Sequence, residues 1–167
     1  MDNSIKIAFQ KTSIWKLILS IALCELTGIV SSILSGVAIN PWFDSIMKPS
    51  WNPPSYVFGP VWSVLYLLMG ISLWLVWKSN NSIGKKVVAV TFFFMQLLLN
   101  FCWSVLFFKF HSPLLALLDI GLLLILIVIT MIHFYKISKT ATYLLIPYVI
   151  WVAFATALNC SIWILNR

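Results

Sequence analysis

Prolines and tryptophans that could form a rigid aromatic surface are concentrated at the start of the stretch from Pro41 to Trp77. Prolines at positions 41, 49, 53 and 54 each fix φ and remove a backbone donor. Trp42 and Trp51 are therefore expected on a stiff loop, residues 40–54. An indole is a large, flat, apolar ring system with one N–H donor. This loop is therefore suited to act as a lid over a flat aromatic ligand. Anchoring in the aromatic belt of a membrane interface is the alternative use of both tryptophans.

Three later groups contain aromatic, amide and small residues. Within each group the residues are spaced by three or four, so they share one face of a helix. The groups are Trp62, Tyr66 and Met69; Gln96, Asn100, Trp103 and Phe107; and Tyr148, Trp151, Ala155 and Leu158. Ala155 is small enough to leave room for a ligand ring beside Trp151. Amides in an apolar setting need hydrogen-bond partners, so bonding between helices is the alternative use of Gln96 and Asn100.

Conventional catalytic chemistry is not visible in the sequence. We find no Ser/His/Asp set, no clustered metal ligands, no phosphate loop and no redox cysteine pair. Cys24, Cys102 and Cys160 are expected to be packing residues, and no metal site is expected. Glu25 and Asp119 are carboxylates inside apolar segments, where such groups face the bundle interior or water. One hypothesis is that Asp119 forms a hydrogen bond with Asn100.

The composition predicts an all-α integral membrane protein. Of the 167 residues, 62% are hydrophobic and 9% are charged, which is more apolar than one soluble core can hide. A spanning helix needs roughly 20 apolar residues, and the apolar runs here are continuous rather than alternating. Five transmembrane helices are predicted to form a single domain, at about residues 15–39, 55–78, 87–108, 113–135 and 142–165.

The net charge of +7 is interpreted as a topology signal rather than a nucleic-acid footprint. With five spans, eight lysines fall on one side of the membrane, whereas two lysines and Arg167 fall on the other. The positive-inside rule then predicts a cytoplasmic N-terminus and an outer C-terminus in a bacterial cell membrane. Gly28, Ser32 and Gly36 form a small-residue stripe on the first helix, which indicates close packing within the chain or, alternatively, a homodimer seam.

The aromatic loop and the later helices together carry a family resemblance. The matching motifs are Lys48-Pro49-Ser50-Trp51-x-Pro53-Pro54, Phe58-Gly59-Pro60-Val61-Trp62, Leu65-Tyr66, Met69-Gly70, Leu75-Val76-Trp77, Gln96-Leu97-x-Leu99-Asn100-x-x-Trp103, Phe107-Phe108 and Pro147-Tyr148-x-x-Trp151-x-Ala153-Phe154-Ala155-Thr156-x-Leu158-Asn159. The chain resembles the TspO/MBR family of tryptophan-rich sensory proteins, translocator proteins and peripheral-type benzodiazepine receptors. The resemblance spans about residues 15–165.

The resemblance implies a five-helix bundle, often dimeric, that binds porphyrins beneath the lid loop. Protoporphyrin IX or haem is the expected ligand, no cofactor is required, and Lys48 or indole N–H groups are expected to meet the propionates. The expected ligand contacts are Trp42, Trp51, Pro53, Trp62, Tyr66, Asn100, Trp103, Tyr148, Trp151, Ala155 and Leu158. The tryptophans that the family ties to light-dependent porphyrin breakdown fall on Trp51 and Trp151.

The expected function is therefore that of a membrane porphyrin sensor or scavenger, with light-dependent porphyrin degradation as a further expectation. A transporter of porphyrins or other apolar molecules and a membrane scaffold are the alternatives. The sequence departs from the family in two places. Leu115 stands where the family often has tryptophan, which puts one pocket wall in doubt. Cys160 replaces the tyrosine of a proposed cholesterol motif, so sterol transport is not expected.

Overall fold

The computed structural model describes the backbone of residues 3–37 and 40–167, and the side chains of residues 14–37 and 40–167. Within these residues the regular secondary structure is entirely helical. Seven α-helices follow one another: α1 (Asn3–Ser35), α2 (Pro41–Ser45), α3 (Ser55–Trp77), α4 (Ile83–Ser104), α5 (Pro113–Tyr135), α6 (Lys139–Leu144) and α7 (Ile146–Leu165). A π-helical turn, Val105–Lys109, extends α4.

Five helical segments are long and apolar enough to cross a membrane, in agreement with the predicted fold class. They are Ile14–Ser35, Ser55–Trp77, Ile83–Lys109, Pro113–Tyr135 and Lys139–Leu165. The last segment joins α6 and α7, with a break at Leu145. Pro147 explains the break, because it has no N–H to continue the α-helical hydrogen-bond ladder. The all-α, integral membrane architecture is thus confirmed.

Helix boundaries differ from the prediction where polar residues continue a helix beyond its apolar part. Helix α1 begins at Asn3 rather than near position 15, and α4 begins at Ile83 rather than near position 87. Apolar composition locates the part of a helix that suits lipid, and it does not locate the first hydrogen-bonded turn. Helix α1 ends at Ser35, four residues before the predicted end, and position 39 lies outside the described residues.

The end of α1 is set by Gly36, whose φ of +67° lies in the left-handed region. This conformation suits a residue without a Cβ and is common just beyond the end of a helix. Gly36 N–H bonds the carbonyls of Ser32 and Ile33 at 3.1 and 3.3 Å. Gly36 therefore ends the helix, and nothing lies within 4 Å of the position that a Cβ would occupy.

Close packing of α1 against α3 depends on two other glycines. A Cβ on Gly28 would overlap the ring of Tyr66, and a Cβ on Gly70 would lie 2.6 Å from Cα of Ile21. Gly28 thus serves packing within the chain, the first of the two uses predicted for its stripe. Helices α4 and α5 also pack together, and the rings of Phe93 and Phe134 stack between them with centroids 5.7 Å apart.

Candidate ligand cavity

A cavity of about 750 Å³ lies at the end of the bundle that carries loop 40–54. Its walls come from α1, α3, α4 with its π-turn, and α7, and the start of the loop closes one side. This volume is within the range of about 300–1,000 Å³ that is usual for small-molecule sites. Ile33 of α1 and Tyr56 of α3 line the cavity while 72% and 78% exposed, so the cavity also opens sideways between these helices.

Most of the predicted ligand contacts meet at this cavity. Those that line it are Trp62, Tyr66, Asn100, Trp103, Trp151, Ala155 and Leu158. They belong to α3, α4 and α7, so the helical faces identified in the sequence are turned towards one another. Their contact with a ligand stays a prediction. Trp42, Trp51, Pro53 and Tyr148 are not among the lining residues.

The floor of the cavity is a chain of buried hydrogen bonds. The Tyr66 hydroxyl donates to Oδ1 of Asn100, and Nδ2 of Asn100 donates to the Tyr148 hydroxyl at 3.2 Å. The Tyr148 hydroxyl in turn donates to Oε1 of Gln96 at 2.6 Å. Tyr148 is fully buried, so it supports the cavity from below rather than lining it. The amides of α4 therefore join α3, α4 and α7, the structural use that the sequence had left open.

One wall is fixed by a second amide. Trp103 Nε1 donates to Oδ1 of Asn159 at 3.0 Å, and Asn159 Nδ2 donates to the Pro113 carbonyl at 2.8 Å. The Trp103 ring also stacks on Phe107, with centroids 5.5 Å apart. The indole is thus held by bonds to α7 and by the start of α5. Such positioning keeps a flat wall in place without a bound ligand.

The roof is the start of the loop, and asparagine side chains attach the loop to the bundle at two points. Asn40 Nδ2 donates to the Phe108 carbonyl at 2.8 Å, and its Oδ1 accepts the Phe43 N–H at 3.1 Å as the N-cap of α2. Asn166 Oδ1 accepts the Met47 N–H at 3.0 Å, and its Nδ2 donates to the Met47 carbonyl at 2.9 Å. Asn40 and Phe43 line the cavity. The loop is therefore tied to both the π-turn and the end of α7.

The loop tryptophans lie beside the cavity. Trp42 stacks on His111 with centroids 4.5 Å apart and meets Phe107 edge-on at 5.6 Å. Trp51 is 47% exposed and meets Phe154 at 5.6 Å, and Phe154 meets Trp151 at 5.4 Å. Trp51 is thus linked to the wall residue Trp151 through the ring of Phe154. The side chain of Trp42 serves to attach the loop to the bundle.

Three further expectations can be compared with the structure. Asp119 does not pair with Asn100, because the Asn100 amide bonds both tyrosines and Oδ2 of Asp119 has no hydrogen-bond partner among the described residues. Leu115 is half exposed and does not line the cavity, so the change from tryptophan does not remove a wall. Lys48 donates to the carbonyls of its own loop at 3.4 Å and does not line the cavity.

Several lining residues were missed by sequence reasoning. Phe58, Phe108, Asn159 and Ser32 line the cavity together with Glu25, for which no site had been assigned. Phe58, Phe108 and Asn159 lie inside the quoted motifs, and those motifs were the signal available for them. Phe108 is brought to the cavity by the π-turn, which adds a residue per turn and has no simple sequence signature.

Fold and site together define a polytopic helical membrane protein with an aromatic cavity under a tethered loop. The TspO/MBR family model matches residues 20–164, so the chain belongs to the TspO/MBR family. A tryptophan-rich protein TspO of Chlorobaculum tepidum is 44% identical over 154 residues, covering 90% of this chain and 95% of that protein. The TspO of Archaeoglobus fulgidus is 40% identical, covering 92% and 99%. The human translocator protein is 40% identical over 123 residues, covering 73% of each chain.

Proposed function

We propose that this protein binds porphyrins in the cavity and acts as a membrane sensor or scavenger of these molecules. The observation that carries the proposal is the cavity itself: about 750 Å³ in volume, with Trp62, Trp103 and Trp151 among its lining residues. Indole rings offer large, rigid apolar surface at little entropic cost, which suits a flat macrocycle. The side opening between α1 and α3 lets a ligand enter from the bilayer, where apolar porphyrins partition.

Polar groups at the cavity match the polar parts of a porphyrin. Glu25 lines the cavity and has no hydrogen-bond or ion-pair partner among the described residues, so its carboxyl is available to a polar group of the ligand. Nε1 of Trp151 is buried without a partner in the described chain, which is costly for an indole N–H. A small rotation of Trp151 towards a propionate oxygen would satisfy it. These groups replace Lys48 as the polar contacts of the proposed ligand.

The test is a dark titration of protoporphyrin IX into detergent-purified protein, followed by quenching of tryptophan fluorescence. Ala155→Leu adds three carbons to the cavity wall, and we expect it to weaken binding tenfold or more, or about 1.4 kcal/mol. Ala157→Leu is the matched control, because Ala157 is exposed on the same helix and does not line the cavity. Equal, unsaturable quenching of both variants and the parent would refute the cavity as the site.

Light-dependent breakdown of the bound porphyrin is the second candidate function. It is favoured by the row of aromatic rings from Trp151 through Phe154 to the half-exposed Trp51, with successive centroids 5.4 and 5.6 Å apart. The excited ring would take one electron from the Trp151 indole and pass it to dioxygen, which becomes superoxide. The indole radical cation would then take an electron back from the porphyrin, and superoxide would add to the resulting porphyrin radical cation, so that dioxygen is the final oxidant. Illumination with dioxygen should then remove the porphyrin absorbance faster in the parent than in Trp151→Phe at equal ligand occupancy. Equal rates would leave binding as the function.

A further inference from the structure

The opposite end of the bundle carries a second, smaller cavity of about 340 Å³ between α4 and α5. It is lined by Gly84, Lys85 and Val88 at the start of α4, and by His133, Lys136 and Ile137 at the end of α5 and just beyond it. Two of these six residues are lysines and a third is a histidine, and they come from α4 and from the end of α5. None of them lines the large cavity.

The two lysines of this cavity differ from their neighbours. Lys86 donates to the Ser79 carbonyl at 3.1 Å, and Lys78 lies 3.5 Å from the centroid of the Trp74 ring. Lys139 lies 5.5 Å from the centroid of the Tyr135 ring. By contrast, Lys85 and Lys136 make no hydrogen bond, ion pair or ring contact with any described residue. Their ammonium groups are therefore available for an anion.

No carboxylate of the described chain neutralises this cavity. Asp44 lies in the loop at the other end of the bundle, and Glu25 and Asp119 lie within spanning helices. His133 is held in place, since its Nδ1 bonds the Ile129 carbonyl at 2.9 Å and its ring packs on Phe92 at 5.0 Å. A carbonyl only accepts, so Nδ1 carries the proton, and Nε2, which has no partner in the described chain, is an acceptor in this tautomer. The two lysines therefore supply the hydrogen-bond donors for an anion.

The N-terminal end of α4 adds to the positive charge of this second cavity. Its N-cap residue, Ser82, makes no side-chain hydrogen bond to the helix, and its first turn holds no acidic residue. Cations in the first turn of a helix oppose the macrodipole, and here Lys85 and Lys86 occupy it. An anion beside Gly84 and Lys85 would offset this unfavourable arrangement.

Apolar surface continues from the cavity towards the middle of the membrane. Val88 and Met95 of α4 are 45% and 46% exposed, and Ile132 and Val128 of α5 are 51% and 45% exposed. These residues follow helical steps of three, four or seven from the lysines, so they extend along the same sides of the two helices. A ligand with an anionic head and acyl chains would match both parts of this surface.

We propose that this cavity is a binding site for the phosphate head of an anionic phospholipid, with Lys85 and Lys136 as the main contacts and His133 beside them. Basic pockets between spanning helices near a membrane surface are suited to anionic head groups. The proposed site does not depend on porphyrin binding at the other end of the bundle. A lipid bound in this cavity would have a fixed position, unlike lipids that are held at the surface only by diffuse charge attraction.

Native mass spectrometry of the full chain can test this site. The protein is transferred from micelles that contain equal amounts of phosphatidylglycerol and phosphatidylcholine with identical acyl chains. We expect the first retained lipid to be phosphatidylglycerol. The Lys85→Gln/Lys136→Gln variant should lose about 25-fold in affinity for it, from about fivefold for each lysine. A thermal melt in zwitterionic detergent checks that the variant is folded.

The matched control is Lys78→Gln/Lys139→Gln, which removes the same charge at the same end but outside the cavity. We expect it to keep its preference for phosphatidylglycerol within about threefold, since exposed charges at longer range are screened. An equal loss in both double variants would overturn the site in favour of diffuse attraction. Displacement of the lipid by millimolar inorganic phosphate or glycerol 1-phosphate would overturn the lipid as the occupant.

Discussion

The buried hydrogen-bond chain under the large cavity makes a specific prediction about stability. In Tyr148→Phe the ring remains, and only the hydroxyl is lost. That hydroxyl donates to Gln96 at 2.6 Å and receives a bond from Asn100 at 3.2 Å. Tyr148 is fully buried and Gln96 is 1% exposed, so water cannot replace the lost partner.

The cost can be worked out from this geometry. Each hydrogen bond between membrane helices contributes about 0.6 kcal/mol on average, and a buried polar atom left without a partner costs about 1–3 kcal/mol. Oε1 of Gln96 loses its only described donor, so we expect Tyr148→Phe to destabilise the protein by about 2 kcal/mol. Tyr66→Phe should cost about half as much, since it breaks one bond and leaves Asn100 at the edge of the cavity.

The assay is reversible unfolding in mixed micelles of increasing dodecyl sulfate content, followed by far-UV circular dichroism. Gln96→Leu combined with Tyr148→Phe removes both partners, and the two changes should show a coupling energy of about 1 kcal/mol. Tyr143→Phe is the control, because Tyr143 is exposed and its hydroxyl makes no described bond. A Tyr148→Phe protein as stable as this control would refute the hydrogen-bond chain as a support of the fold.

Three further predictions concern other contacts. Gly70→Ala should destabilise by about 1–3 kcal/mol, because the new Cβ would lie 2.6 Å from the backbone of α1. Gly121→Ala meets nothing within 4 Å and should be as stable as the parent or up to about 1 kcal/mol more stable. Asn166→Ala should speed porphyrin dissociation several-fold in stopped-flow measurements by releasing the loop, and an unchanged rate would show that the loop does not gate the cavity. Glu25→Leu should raise the thermal midpoint, because it removes an ionisable group from a spanning helix; a lower midpoint would reveal a structural partner for this carboxyl.

The helical architecture could be predicted from the sequence because bilayer thickness sets the length of apolar runs, and Pro113 and Ser55 mark true helix starts. The cavity walls could also be predicted in large part, since Trp103 and Trp151 lie on faces that repeat with helical period. The two asparagine ties of the loop could not. Asn40 and Asn166 bond partners 68 and 119 residues away, and such pairs leave no local pattern.

The position of the loop tryptophans shows a second limit of sequence reasoning. Proline spacing predicted a stiff loop, but it contained no information on which ring faces the cavity. Phe43, between Trp42 and Asp44, lines the cavity, while Trp42 packs on His111. The position of Phe43 depends on the π-turn, because both Phe107 and Phe108 of this turn pack against the Phe43 ring.

The central claim is that a porphyrin occupies the cavity between α1, α3, α4 and α7. The most direct measurement is a crystal structure of the protein with zinc protoporphyrin, in which anomalous scattering at the zinc edge locates the macrocycle. The account predicts one peak inside the cavity, within contact distance of Trp151 and Ala155. A peak on the lipid-facing surface of the bundle, with the cavity still empty, would contradict it.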